Sequence, residues 1–213
     1  MTDSDTRMVR AAYTEQTVTV YQAYSPQIAD AAVRAGTFVA PFSRDRMTWI
    51  KPSFGWMMHR SGWAAKPGQE RVLAIEIKRD GFDWALAHAC LSHYEPGTHC
   101  SPQAWAALKD GSPVRVQWDP DRSLTGERLS RRAIQIGLSG EAVHRYCDEW
   151  ICSITDITVT VCEAQELVRT GRIADAARAL PSERVYPLNP ALSRSIGAEL
   201  GNPPPAHAAD GAR

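Results

Sequence analysis

Two segments late in the chain, Val114 to Trp118 and Ala133 to Leu138, do most to limit what this sequence can fold into. In the first, Val114, Val116 and Trp118 alternate with Arg115 and Gln117; in the second the alternation repeats around Gln135. A two-residue period belongs to a β-strand, whose successive side chains point to opposite faces. Each segment therefore predicts a strand with one dry side and one side turned to water or a ligand.

The other elements follow from the same reasoning. Thr17 to Gln22 is β-branched and alternating, and Ser25-Pro26 opens a helix that ends near Gly36. Arg46 to Lys51 reads as a short strand, with Ser53 capping a helix up to Gly62. Val72 to Ile77 is the most apolar strand and is expected to be central. Helices are expected over Gly81 to His93, Ser101 to Lys109 and Ser139 to Asp148, then a strand over Glu149 to Ile154 and a helical hairpin over Thr160 to Leu180, broken at Gly171. Strands and helices without a strict βαβ rhythm predict an α+β fold.

At 213 residues and 44% hydrophobic, the chain can bury one sizeable core, so a single domain is expected over residues 1–188. From Asn189 onward Ala, Gly, Pro and Ser dominate, and residues 189–213 are expected to be a disordered tail. Lys plus Arg balances Asp plus Glu, so no overall field draws in nucleic acid or an acidic membrane, and an anionic ligand must be met locally. Met1 to Arg10 is polar and no stretch reaches the ~20 apolar residues of a membrane span, which argues against export or insertion. Cys90, Cys100, Cys147, Cys152 and Cys162 are odd in number and scattered, as expected of reduced thiols in a cytoplasm.

Arg44 to Trp63 is the segment densest in chemistry, with tryptophans interleaved among cations. Such rings can stack a base or nicotinamide while Arg44, Arg46 and Lys51 meet phosphates. Alternatively, Trp49, Trp56 and Trp63 are core aromatics with the cations as a solvated rim. Tyr21 to Ser25 sits where a strand turns into a helix N-terminus, a place suited to an anion or amide. Glu149 is expected to head a late strand, from which a carboxylate can hold a ribose diol or stabilise an oxocarbenium-like centre. His88, Cys90, His93, His99 and Cys100 lack the helical spacing of a zinc site, so no metal is expected.

The stretches VYQAYSPQIADAAVRAGTF, RDRMTWIKPSFGWMMHRSGWA, VQWDPDR, IQIGLSGEAV and DEWICSITDIT resemble a bacterial family described as a domain of unknown function, over about Arg7 to Leu188. The order of elements also resembles, more distantly, the ADP-ribosyltransferase superfamily. That likeness implies a split, mostly antiparallel sheet flanked by helices, with NAD bound as substrate in the cleft. It puts Gln22 where the superfamily has His or Arg, offers Trp49 and Ser53 for the second signature, and makes Glu149 the candidate for the third. A neutral amide at Gln22 removes the charged anchor of that pattern.

The resemblance implies transfer of ADP-ribose to an acceptor, whether protein, nucleic acid or small molecule. Gln22 and Glu149 would be catalytic; Tyr24, Arg44, Arg46, Trp49, Lys51 and Ser53 would bind NAD; His59, Arg60, Arg115 and Gln135 would orient the acceptor. The other expectation is a non-catalytic module that binds a nucleotide or single-stranded RNA on the same Arg/Trp surface.

Overall fold

The structure, a computed structural model, describes residues 6–199. Two short strands, β1 (Thr6–Arg7) and β2 (Arg10–Ala11), precede β3 (Thr17–Tyr24) and helix α1 (Pro26–Ala35), which ends at Gly36 with φ of 69°. Then come β4 (Thr48–Ile50), α2 (Phe54–Ser61), β5 (Arg71–Lys78), α3 (Arg79–Ala87) and β6 (Ala89–Leu91). Helix α4 (Pro102–Gly111) leads into the long hairpin of β7 (Val114–Arg122) and β8 (Arg128–Leu138). After α5 (Glu141–Arg145) and a π-helical turn (Tyr146–Trp150) follow β9 (Ile151–Asp156), α6 (Thr158–Arg169), α7 (Ile173–Ala179), β10 (Arg184–Val185) and α8 (Pro190–Ser195).

The chain is an α+β fold with mostly antiparallel sheets. A five-stranded sheet runs β1-β8-β7-β6, with β4 also on β8, and a three-stranded sheet runs β3-β5-β9. Among the described strands only β6 on β7 and β1 on β8 pair in parallel. The two sheets meet where Tyr21 and Lys51 exchange main-chain hydrogen bonds of 2.7 and 3.2 Å. The strand expected to be central, Val72 to Ile77, is the middle strand of the smaller sheet.

Strand parity builds two cores. Val18, Val20, Leu73, Ile75, Val116, Ile134 and Ile136 face the larger one, joined by α1, α3, α5 and the π-helical turn. The other side of the small sheet sends Tyr21 and Val72 against Phe54, Met57 and Met58 of α2 and Val161 of α6. Gly81 lets α3 lie against the turn that precedes β9: a Cβ there would meet the Trp150 ring at 2.4 Å. Because backbone and a buried indole give way poorly, Gly81→Ala is expected to cost about 2 kcal/mol, read as a lower urea midpoint at unchanged slope.

Three local expectations change. The helix expected over Gly81 to His93 stops at Ala87, because Ala89–Leu91 is captured by the free edge of β7 as a fully buried strand. Glu149 does not head a strand: β9 begins at Ile151, and the alternation ends in the π-helical turn. The chain stays packed past Asn189, which caps α8 by accepting from Leu192 N–H at 2.8 Å. Ile196 is buried and its carbonyl accepts from Trp118 Nε1 at 2.7 Å, so tertiary contact orders a segment whose composition predicted none. Residues 200–213 of the expected tail lie outside the described residues. No helix among the described residues is long and apolar enough to cross a membrane.

Candidate functional site

Register decides which predicted residues share a face. Trp49 lies opposite Gly137 and Ile50 opposite Ile136, while Gly137, Gln135 and Ala133 lie opposite Arg115, Gln117 and Asp119. With Ile50, Ile134, Ile136, Val114, Val116 and Trp118 turned into the core, Trp49, Lys51, Arg115, Gln117, Asp119 and Gln135 are left on the outer face. The side expected to be wet is therefore one continuous polar face, on which Lys51 and Gln135 are buried.

The Trp49 indole packs directly on the strand beside it: a Cβ on Gly137 would come within 3.1 Å of two of its ring atoms. Next to it, Lys51 is only 6% exposed, and its Nζ donates to Trp49 O at 3.0 Å. Burial first, then the neighbouring Arg60 guanidinium, pulls its pKa down to about 7, against the opposing pull of Asp119. The Asp119 carboxylate accepts from Gln117 Nε2 at 2.9 Å and from Gln135 Nε2. Two amides thus hold the carboxylate whose charge acts on Lys51.

Gln117 and Asp119 also open into a hollow of about 270 Å³ walled by Ser92, Tyr94, Glu95 and Arg7. The Ser92 hydroxyl there is buried and has no hydrogen-bond partner.

Arg60 and His59 lie exposed at the end of α2, with the His59 ring against Trp56 at 5.1 Å. Burial, then Arg122, Lys66 and Arg60, lowers the His59 pKa. Arg115 shares the face, but its guanidinium donates to the carbonyls of Lys109, Ser112 and Val114, closing the end of α4.

Gln22 and Tyr24 lie on the core side. The Gln22 amide donates to Tyr24 Oη at 2.7 Å, Thr48 Oγ1 at 2.6 Å and Trp49 O at 3.3 Å, and its carbonyl accepts from Tyr146 Oη at 2.8 Å. Parity puts Gln22 in line with Val18 and Val20, and a buried amide must find partners there. Burial raises the pKa of both Tyr24 and Tyr146.

Ser53 caps α2, its Oγ accepting from Trp56 N–H at 3.3 Å. Arg44 pairs with Asp148 at 2.9 Å, tying the loop before β4 to the π-helical turn, and Arg46 is exposed in that loop. Glu149 projects outward, its side chain 58% exposed and 3.9 Å from Arg145. It lines none of the hollows described here, although Tyr146 of the same turn touches Gln22.

The structure thus gathers Trp49, Lys51, Arg60, Arg115 and Gln135; Gln22 reaches this group only through the Trp49 carbonyl it shares with Lys51, and Glu149 and Arg44 lie apart from it. Trp56 is buried, and Trp63 packs partly buried against the smaller core. Asp119 went unnoticed in the sequence, although the alternation through VRVQWD, carried one residue further, reaches it. Among the described residues no group of three or more His, Cys, Asp and Glu is gathered as for a metal ion, and His88 instead stacks on Trp84 at 3.9 Å.

Fold and face together define a small α+β protein with a polar face on its larger sheet. The family model of the domain of unknown function DUF4291 matches residues 8–186, and the chain belongs to that family. No curated protein matches the sequence.

Proposed function

We propose that this chain binds a nucleotide-type ligand, a planar base or nicotinamide carrying phosphate, on the outer face of the β4-β8-β7 sheet. One observation carries the reading: Lys51 is buried with a main-chain carbonyl as its hydrogen-bond partner, on the strand face of Trp49 and within electrostatic reach of Asp119. An ammonium in that position gains from an anionic ligand what burial has taken from it. Trp49 supplies the stacking surface, Lys51 and Arg60 meet phosphate, and Asp119, oriented by Gln117 and Gln135, accepts from ribose hydroxyls.

The test is protection against thermal unfolding, and quenching of tryptophan fluorescence, by NAD, ADP and a single-stranded RNA oligonucleotide. Trp49→Ala is expected to weaken binding by roughly tenfold or more, since a base-aromatic stack contributes about 1–3 kcal/mol. Affinity should fall as pH rises through about 7, where Lys51 loses its proton. No response to any of the three at millimolar concentration rejects the reading.

A second reading adds chemistry, the transfer of ADP-ribose from NAD. It is favoured by the break between β3 and β4, which the Tyr21–Lys51 pair spans with Gln22 beside it. Nicotinamide release that survives Trp49→Ala but not Glu149→Gln would support it, and NAD binding without release would leave the binding reading alone.

A further inference from the structure

A second polar recess lies where α2 begins, built from residues that the outer face does not use. Phe54 N–H, at the N-terminus of α2, donates at 2.6 Å to the Glu183 carboxylate, 129 residues away in the chain. Around this bond is a hollow of about 430 Å³ lined by Ser53, Arg10, Asp121, Arg122 and Arg131. Beside it a hollow of about 590 Å³ shares Phe54, Leu180 and Pro181.

Some of the charges here are already matched. Asp121, 4% exposed, accepts from Arg131 Nε at 2.7 Å and from the Arg122 main-chain N–H at 2.8 Å. Arg10 donates to the Glu183 main-chain carbonyl at 2.9 Å. Others are not. Arg122 Nε and the Tyr21 hydroxyl are buried without a hydrogen-bond partner. Tyr21 is 0% exposed, lines the larger hollow, and lies close enough to Glu183 for the carboxylate to raise its pKa.

A buried donor left unpaired is costly, so two of them beside a helix N-terminus call for an acceptor-rich guest. The seated carboxylate is itself ill at ease, since burial and then Asp121 push the Glu183 carboxyl up to about 7.

We propose that this recess binds a tetrahedral oxyanion, a phosphate or phosphate monoester, and that Glu183 is its internal stand-in. The ligand's oxygens take the seat on Phe54 N–H, and the segment around Glu183 moves aside. With Glu183 displaced, Arg10, Arg122 and Arg131 face Asp121 alone, and the net positive charge of the recess suits a dianion. Oxygens of the guest then satisfy Tyr21 and Arg122.

The experiment titrates the full chain with sodium sulfate against sodium chloride at equal ionic strength, following the Phe54 amide by NMR and the heat of binding. Sulfate keeps one charge state across neutral pH, so the reading is of the protein. Glu183→Ala is expected to bind sulfate about tenfold tighter than the unchanged chain, a difference of about 1.4 kcal/mol. Should that variant not fold, Glu183→Gln keeps an oxygen for Phe54 N–H without the charge and is expected to gain in the same direction.

Phenyl phosphate binding tighter than inorganic phosphate assigns the neighbouring hollow to the organic part of a monoester; equal binding assigns the recess to the free ion. A folded variant with no gain over the unchanged chain, or a Phe54 amide that answers chloride as it answers sulfate, overturns the proposal.

Discussion

Lys51→Met is expected to stabilise the chain at pH 7 by up to about 4 kcal/mol while abolishing its response to NAD and ADP. Folding moves Lys51 from an ordinary 10.5 to about 7, through burial first and Arg60 second, with Asp119 opposing. Between those values the unfolded chain holds more protons than the folded one, so stability rises with pH. Read downward, stability present above 10.5 is lost as pH falls towards 7. Methionine keeps the length of the side chain without the charge, and Asp119 retains Gln117 and Gln135 as donors. Urea midpoints should favour the variant at pH 7 and converge near pH 10. A variant less stable at pH 7 would mean that the ammonium is a structural ion matched by Asp119.

Glu183→Gln is the second large effect, and it acts on the opposite limb. Glu183 moves from 4.5 to about 7 on folding, mainly through burial, with Asp121 adding to the shift and Phe54 N–H, Arg10 and Arg131 opposing it. Arg122 and Tyr21 are the remaining groups that face it. Here the folded chain holds the extra proton, so its contribution is fully present below about 4.5 and is lost as pH rises to about 7, by about 3 kcal/mol. Together the two groups give the native chain a minimum of stability near pH 7. Glu183→Gln should flatten the acid limb and leave the alkaline rise, and Lys51→Met should do the reverse. A native chain most stable at pH 7 would show that neither group carries the cost assigned to it.

Much of this architecture was legible before any coordinates. The strands from Thr17 and Val72 and the alternation in β7 and β8 are local patterns, and each appears where its period predicts it. The caps at Ser53 and Ser101 likewise act within one turn. Ala89–Leu91 defeated local reading because three apolar residues after a helix look like more helix until a free strand edge recruits them. The segment after Asn189 defeated it because composition says nothing of the Trp118 indole waiting for the Ile196 carbonyl.

The candidate site divides in the same way. Alternation put Arg115, Gln117 and Gln135 on one polar face, and RMTWIK gave a short strand carrying Trp49 and Lys51. Which strands pair, and in what register, is set by contacts between residues outside any local window, such as Trp49 and Gly137, and no local period encodes it. Lys51 within the field of Asp119, Gln22 bonded to Tyr146, and Glu183 seated on α2 are therefore properties of the assembled sheets alone. The amino-acid order determined the elements and their faces, because backbone geometry responds to the nearest few residues; only packing decided which faces meet, because burial is shared among distant parts of the chain.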